Sequence, residues 1–180
     1  NDGSDQSVDS DDNNEFACSD DDSDGCDDCS NGSYDTSNDG DDGDGDGTCD
    51  GTDTSPGGDI TLSFANATET TIDIEYSSDV SIAGYQFTVD GVTLIEATDG
   101  DLTIASANNI VIAYGMGDDF HLPACLEGGC AFASLLFYAE LDGATIGLSD
   151  IIVGQNGQYQ LTVSGPEDAA IEPCTNFDGD

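Results

Sequence analysis

The chain has 180 residues, of which 40 are Asp or Glu and none is Lys or Arg, so the formal net charge is −40. That balance excludes a protein that holds nucleic acid or another polyanion, and it opposes contact with an anionic membrane surface. With His121 the only side chain able to become cationic, ordinary salt bridges cannot offset the acids, and the natural counter-ions are metal cations.

The acids divide evenly between two unlike stretches. Residues 1–55 carry 20 of them, with Val8, Phe16 and Tyr34 as the only large apolar residues, and such a stretch buries too little surface to fold by the hydrophobic effect alone. Within it an 11-residue period runs through starts at Asp9, Asp20, Asn31, Asp42 and Asp53. Counting from each start, position 3 is Asp11, Asp22, Ser33 and Asp44, and position 5 is Asn13, Asp24, Asp35 and Asp46. Position 6 is Gly25 and Gly47 in the second and fourth units, and position 9 is Asp28, Asp39 and Asp50 in the last three. Position 12 of each unit is the first residue of the next.

Alternate oxygens at 1, 3 and 5, a glycine at 6 for a sharp turn, and further oxygens at 7, 9 and 12 form the ligand spacing of a calcium loop. The expected cofactor is therefore calcium, several ions per chain. The fourth unit, DGDGDGTCDGTD, is complete, the second nearly so, and the first and third keep phase with substituted ligands. Position 12 is Asp or Asn, not Glu, and no amphipathic helix flanks a loop, so these are not EF-hands. The alternative for such a run is a solvated acidic linker. The pattern DxDxDGxxDxxD resembles thrombospondin type 3 repeats and related acidic repeats of bacterial surface proteins. That resemblance implies irregular backbone wrapped around a string of calcium ions, with disulfides as staples.

The chain starts at Asn1 without Met or a signal-like apolar stretch, as a processed or excised piece does. Its end, residues 176–180, reads as the start of a further loop. Asp178 and Asp180, placed before Asp2 and Asp9, complete another unit in phase. This predicts copies joined or meeting head to tail around a shared ion.

Residues 56–175 change to period two. Ile60, Leu62 and Phe64 alternate with polar residues, as do Ile72, Ile74 and Tyr76, and then Tyr85, Phe87 and Val89. Further strands are expected near 92–97, 101–106, 109–114, 131–141, 145–153 and 157–163, with turns at Asp90-Gly91, Asp99-Gly100, Asp142-Gly143 and Asn156-Gly157. About nine short strands and no helical moment predict an all-β sandwich or jelly roll. Gly84-Tyr85-Gln86-Phe87 and Leu148-Ser149-Asp150 give residues 57–166 a resemblance to cohesin domains. The resemblance implies a nine-stranded jelly-roll sandwich of adhesive, non-catalytic character, in which Leu148-Ser149-Asp150 opens a motif that ends in an Asn-Gly turn.

Seven cysteines point to an oxidising compartment and an extracellular or cell-surface protein. Cys125 and Cys130 bracket a four-residue loop suited to a disulfide. Cys18, Cys26, Cys29 and Cys49 form two more in one of three pairings, and Cys174 is left over. A soft-metal site at Cys26 and Cys29 is disfavoured by the hard oxygens around it. Asn66 and Asn31 head N-glycosylation sequons, Asn66 being the better candidate for a glycan. His121 lies beside Asp118 and Asp119 but is a loop histidine on balance. No nucleophile motif or phosphate loop is present, so no enzyme is expected.

These features lead to the expectation of a calcium-stabilised structural subunit or tandem repeat of a filament, stalk or surface adhesin. The competing expectation is a cohesin-like module that binds a dockerin or a carbohydrate, with the acidic segment as spacer.

Overall fold

The computed structural model describes residue 11 and residues 13–99, 101–115, 121–155 and 159–174. The chain divides after Pro56 into two compact units. Every named strand lies in the second: β1 (Asp59–Ala65), β2 (Thr71–Ser78), β3 (Gly84–Asp90), β4 (Leu94–Thr98), β5 (Thr103–Ala107), β6 (Ile110–Tyr114), β7 (Cys125–Phe137), β8 (Ala144–Gly154), β9 (Thr162–Ser164) and β10 (Ala169–Ile171). They form two five-stranded sheets, ordered β4-β7-β2-β1-β9 and β10-β8-β3-β6-β5. All pairings are antiparallel except β1 with β9. The second unit is thus the expected all-β sandwich.

Period-two alternation dictates which side chains face inward. Ile60 and Leu62 of β1, Ile72, Ile74 and Tyr76 of β2, and Tyr85, Phe87 and Val89 of β3 are all buried. Phe132 stacks on Tyr85 with ring centroids 4.1 Å apart and lies 6.4 Å from Phe87, so aromatic rings from the two sheets meet at the centre of the core. The buried Tyr85 hydroxyl donates to Asp99 Oδ2 at 2.7 Å, and burial followed by the Asp99 carboxylate pushes the phenol above its ordinary pKa.

The structure departs from the expected elements at identifiable places. β7 begins at Cys125, earlier than the expected 131, because Ser78 pairs with Cys125 and Tyr76 with Cys130. The residues between bulge outward, Gly128 and Gly129 take left-handed φ of +75° and +74°, and the Cys125–Cys130 disulfide closes the neck. The strand expected near 145–153 is β8, but it is irregular at Asp150 (φ +50°), which occupies a bulge opposite β3. The β5–β6 turn is Asn108-Asn109, both at positive φ. Asn109 also donates to the carbonyls of Val89 and Val92 and accepts from Leu94 N, fixing the β3–β4 loop. Of the strand expected near 157–163, residues 157 and 158 lie outside the described residues and β9 covers Thr162–Ser164; β10 is additional.

Candidate metal centre

The first unit has no strand or helix among its described residues, and its backbone is ordered by scattered turn hydrogen bonds, side-chain contacts and disulfides. Cys18 pairs with Cys29, one 11-residue period apart, and Cys26 pairs with Cys49. Asp27 is buttressed by the first bridge, accepting from Cys18 N at 2.8 Å and Cys29 N at 3.0 Å.

The second and fourth units are built alike. In both, the position-9 carboxylate accepts from the position-2 amide: Asp28 from Asp21 N at 2.9 Å, and Asp50 from Gly43 N at 2.8 Å. The position-9 amide donates to the carbonyl just before the unit, Asp28 N to Ser19 O at 2.7 Å and Asp50 N to Asp41 O at 2.8 Å. The position-5 carboxylate accepts from the position-7 amide at 2.8 Å in each, through Asp24 with Cys26 N and Asp46 with Thr48 N. Gly25 and Gly47, at position 6, have φ of +94° and +88°, a conformation costly for any residue with a Cβ. Two loops 22 residues apart with the same bonds are one local fold used twice.

Both loops bring positions 1, 3 and 5 together. One carboxylate oxygen from each of Asp20, Asp22 and Asp24 lies within 4.8 Å of the others, and the same holds for Asp42, Asp44 and Asp46. At position 12, Asp53 buries an Oδ2 with no hydrogen-bond partner. Burial, then the charges of Asp46, Asp53 and Asp42, raises the Asp44 pKa against the lowering effect of the Asp46 amide.

A third convergence joins two units. Asp22 and Asp28 meet Asp39, position 9 of the third unit, again within 4.8 Å. Asp28 is 1% exposed and Asp39 5%, and each buries one carboxylate oxygen, Asp28 Oδ1 and Asp39 Oδ2, without a partner. Burial raises the Asp39 pKa, as do the charges of Asp24, Asp22 and Asp28. Asp22, Asp24 and Asp39 line a cavity of about 280 Å³ that Asp42 also borders.

Other expected ligands are not brought together. Asn31 is exposed and gives its side-chain amide to the Asn38 carbonyl. Asp35 accepts from Ser37 N at 3.1 Å and Ser37 Oγ at 2.7 Å, which lowers its pKa. Asp11 joins no cluster of acidic groups among the described residues. Asp2, Asp9, Asp178 and Asp180, the residues of the head-to-tail unit, lie outside the described residues, as do Asp118 and Asp119 beside His121.

The donor set is all carboxylate, the cysteine sulfurs of this unit being held in disulfides. Hard oxygens with no nitrogen or free thiolate suit Ca²⁺ or Mg²⁺ over Zn²⁺, and short flexible loops suit the larger ion. Three buried, unpartnered carboxylate oxygens, on Asp28, Asp39 and Asp53, in a chain without Lys or Arg fit divalent cations in chemistry and in charge.

In the second unit Asn66 is exposed at the β1–β2 turn and donates to Asp73 Oδ2 at 2.9 Å. Cys174 is the one free cysteine among the described residues.

No family model matches the sequence, and no curated protein matches it. Among solved structures the chain is similar to a complex of a CaDoc0917 variant with CaCohA2, with TM-score 0.46 and 10% identity over 64% of this chain and 99% of that one. It is also similar to a non-cellulosomal cohesin from the archaeon Archaeoglobus fulgidus, with TM-score 0.46 and 7% identity over 65% and 92%. A cohesin module of a Clostridium perfringens family 33 glycoside hydrolase gives TM-score 0.43 and 12% identity over 64% and 97%. With TM-scores below 0.5 these likenesses add nothing to the architecture that the strand order already defines.

Proposed function

We propose that this chain is a calcium-clamped, non-catalytic extracellular module, in which divalent ions rigidify the acidic unit and the β-sandwich supplies a packed adhesive or structural body, as part of a filament, stalk or surface adhesin. One observation carries the reading: Asp28 and Asp39 are buried with an unpartnered carboxylate oxygen each, converge with Asp22, and have no cationic side chain to neutralise them. Burial of unpaired carboxylates is strongly unfavourable. An oxygen-coordinated ion removes that penalty and, in a segment without a core, becomes the main source of its folding free energy. Three disulfides are in keeping with an oxidising, extracellular setting.

The test is chelation of the whole protein followed by calcium return, monitored by limited proteolysis with an Asp-directed protease, since the chain has no trypsin sites. Cleavage within residues 20–53 is expected to appear on chelation and to disappear on adding calcium, while the sandwich stays intact. Unchanged resistance of that stretch after complete removal of divalent ions would sink the proposal.

A second reading, a dockerin-type binding module, has its own observation. Ile110, Ile112 and Tyr114 of β6 and Ile152 of β8 are each more than two-fifths exposed on the outward face of one sheet. Capture of a dockerin by the intact protein, lost on Ile112→Asp, is the result that favours it.

A further inference from the structure

We propose that Asp22 bridges two divalent cations, an outer one seated on Asp20, Asp22 and Asp24 and an inner one seated on Asp22, Asp28 and Asp39. The inference rests on the reading that this unit binds divalent ions and specifies how two of its sites are joined. The 11-residue period shares only the first residue of a unit, as position 12 of the unit before, whereas the two clusters share the position-3 residue Asp22.

Asp22 is placed to serve both. Its carboxylate accepts no hydrogen bond from the described residues, although Asp24 and Asp28 each give an oxygen to a loop amide. Two carboxylate oxygens offer about four lone-pair directions, enough for an ion on either side. The inner position has its own oxygens. Asp28 is held through Oδ2 by Asp21 N at 2.9 Å and Ser19 Oγ at 3.0 Å, which leaves Oδ1 buried and unpartnered. Asp39 brings the second buried, unpartnered oxygen.

The third unit explains how Asp39 arrives. Ser30 Oγ donates to the Asp39 carbonyl and Asn31 Nδ2 to the Asn38 carbonyl, so the chain doubles back and lays residues 38–39 on the end of the second unit. The third unit is thereby a strap that delivers one carboxylate to its neighbour, in place of a loop around its own ion.

Charge favours two ions over one. Five carboxylates surround the pair of positions. One divalent ion leaves three negative charges in a partly buried cluster, and two leave one. Two ions sharing a carboxylate lie within several ångströms, a spacing known from two-metal sites where bridging carboxylates screen the mutual repulsion.

Ion counting by native mass spectrometry, with calorimetric titration of calcium into the chelator-stripped full chain, tests this on the isosteric variants Asp22→Asn, Asp39→Asn and Asp20→Asn. At a free calcium level near the wild-type midpoint, Asp39→Asn and Asp20→Asn are each expected to lose one ion and Asp22→Asn two. The affected steps should weaken about tenfold or more. If Asp22→Asn loses one ion while Asp39→Asn loses none, the inner site and the bridge are both refuted, and calcium binding by the loops stands. If Asp22→Asn and Asp39→Asn each lose one, the sites are independent and the bridge alone is refuted. No uptake by the wild-type chain overturns this inference together with the reading beneath it.

Discussion

Asp39 and Asp73 show how the same side chain is tuned in opposite directions. Asp73 accepts from Ser134 Oγ at 2.6 Å and Asn66 Nδ2 at 2.9 Å, and these two donors lower its pKa. Its folded pKa lies below the unfolded value of 3.8, so its stabilising effect is present above 3.8 and is lost as pH falls through the folded value. Asp39 is the reverse case, raised first by burial and then by Asp24, Asp22 and Asp28. Its folded pKa lies above 3.8, so in the ion-free unit the charged form opposes folding, and that opposition grows as pH rises from 3.8 through the raised value. A bound cation needs the charged form, so protons compete with it across that same window. Calcium affinity is therefore expected to fall on acidification from neutrality toward about pH 5, earlier than ordinary carboxylates would allow, and Asp39→Asn should flatten the dependence. Calorimetric titration at a series of pH values checks this. An affinity that stays constant to about pH 4 contradicts the assigned role of Asp39.

The loops and the strands were legible in the sequence to different extents, and for physical reasons. Strands β1 to β3 were visible because one face of each is buried, with Phe64 of β1 only partly so, which forces strict alternation of residues such as Ile72, Ile74 and Tyr76. The start of β7 was hidden because Gly128 and Gly129 carry the signature of a turn, while the disulfide lets them sit inside a strand as a bulge. The three-residue β10 is too short to show a period. In the first unit the 11-residue phase located Asp20, Asp22 and Asp24 and likewise Asp42, Asp44 and Asp46, because each set converges through contacts local to its own loop. It did not locate the partnership of Asp39 with Asp28, which depends on a chain reversal set by Ser30 and Asn31. The only available signal was that the third unit, with Asn31 and Ser33 in ligand positions and Thr36 in place of the turn glycine, left Asp39 without a loop of its own. The disulfides act at this same scale. Cys26–Cys49 closes a loop with a sequence separation of 23, worth about 3 kcal/mol of unfolded-chain entropy. The double variant Cys26→Ala/Cys49→Ala is expected to bind calcium more weakly by up to roughly a hundredfold, because ion binding must then drive more of the ordering. A calcium titration equal to that of the parent would show that the bridge does not organise the sites.

For the molecule as a whole, two kinds of cation can offset a net charge of −40, and they act differently. Monovalent salt screens diffusely, with a Debye length of about 10 Å at 0.1 M, and so relieves repulsion between exposed carboxylates well apart from one another. It does little for oxygens packed within 4.8 Å and buried, where water and salt are excluded and like charges repel most strongly. The two units should therefore respond differently. The sandwich has an aromatic and aliphatic core that does not depend on a counter-ion, whereas the first unit has its disulfides, its hydrogen bonds and, on the proposed reading, bound ions. On chelation at low ionic strength the radius of gyration should rise. Sodium chloride at about 0.5 M should reverse most of that swelling without restoring protection of residues 20–53 from proteolysis. Micromolar to millimolar calcium should restore both. Small-angle scattering read beside the cleavage pattern separates the two effects. Full protection by sodium chloride alone would mean that general screening, and not coordination at Asp22, Asp28 and Asp39, holds this segment together.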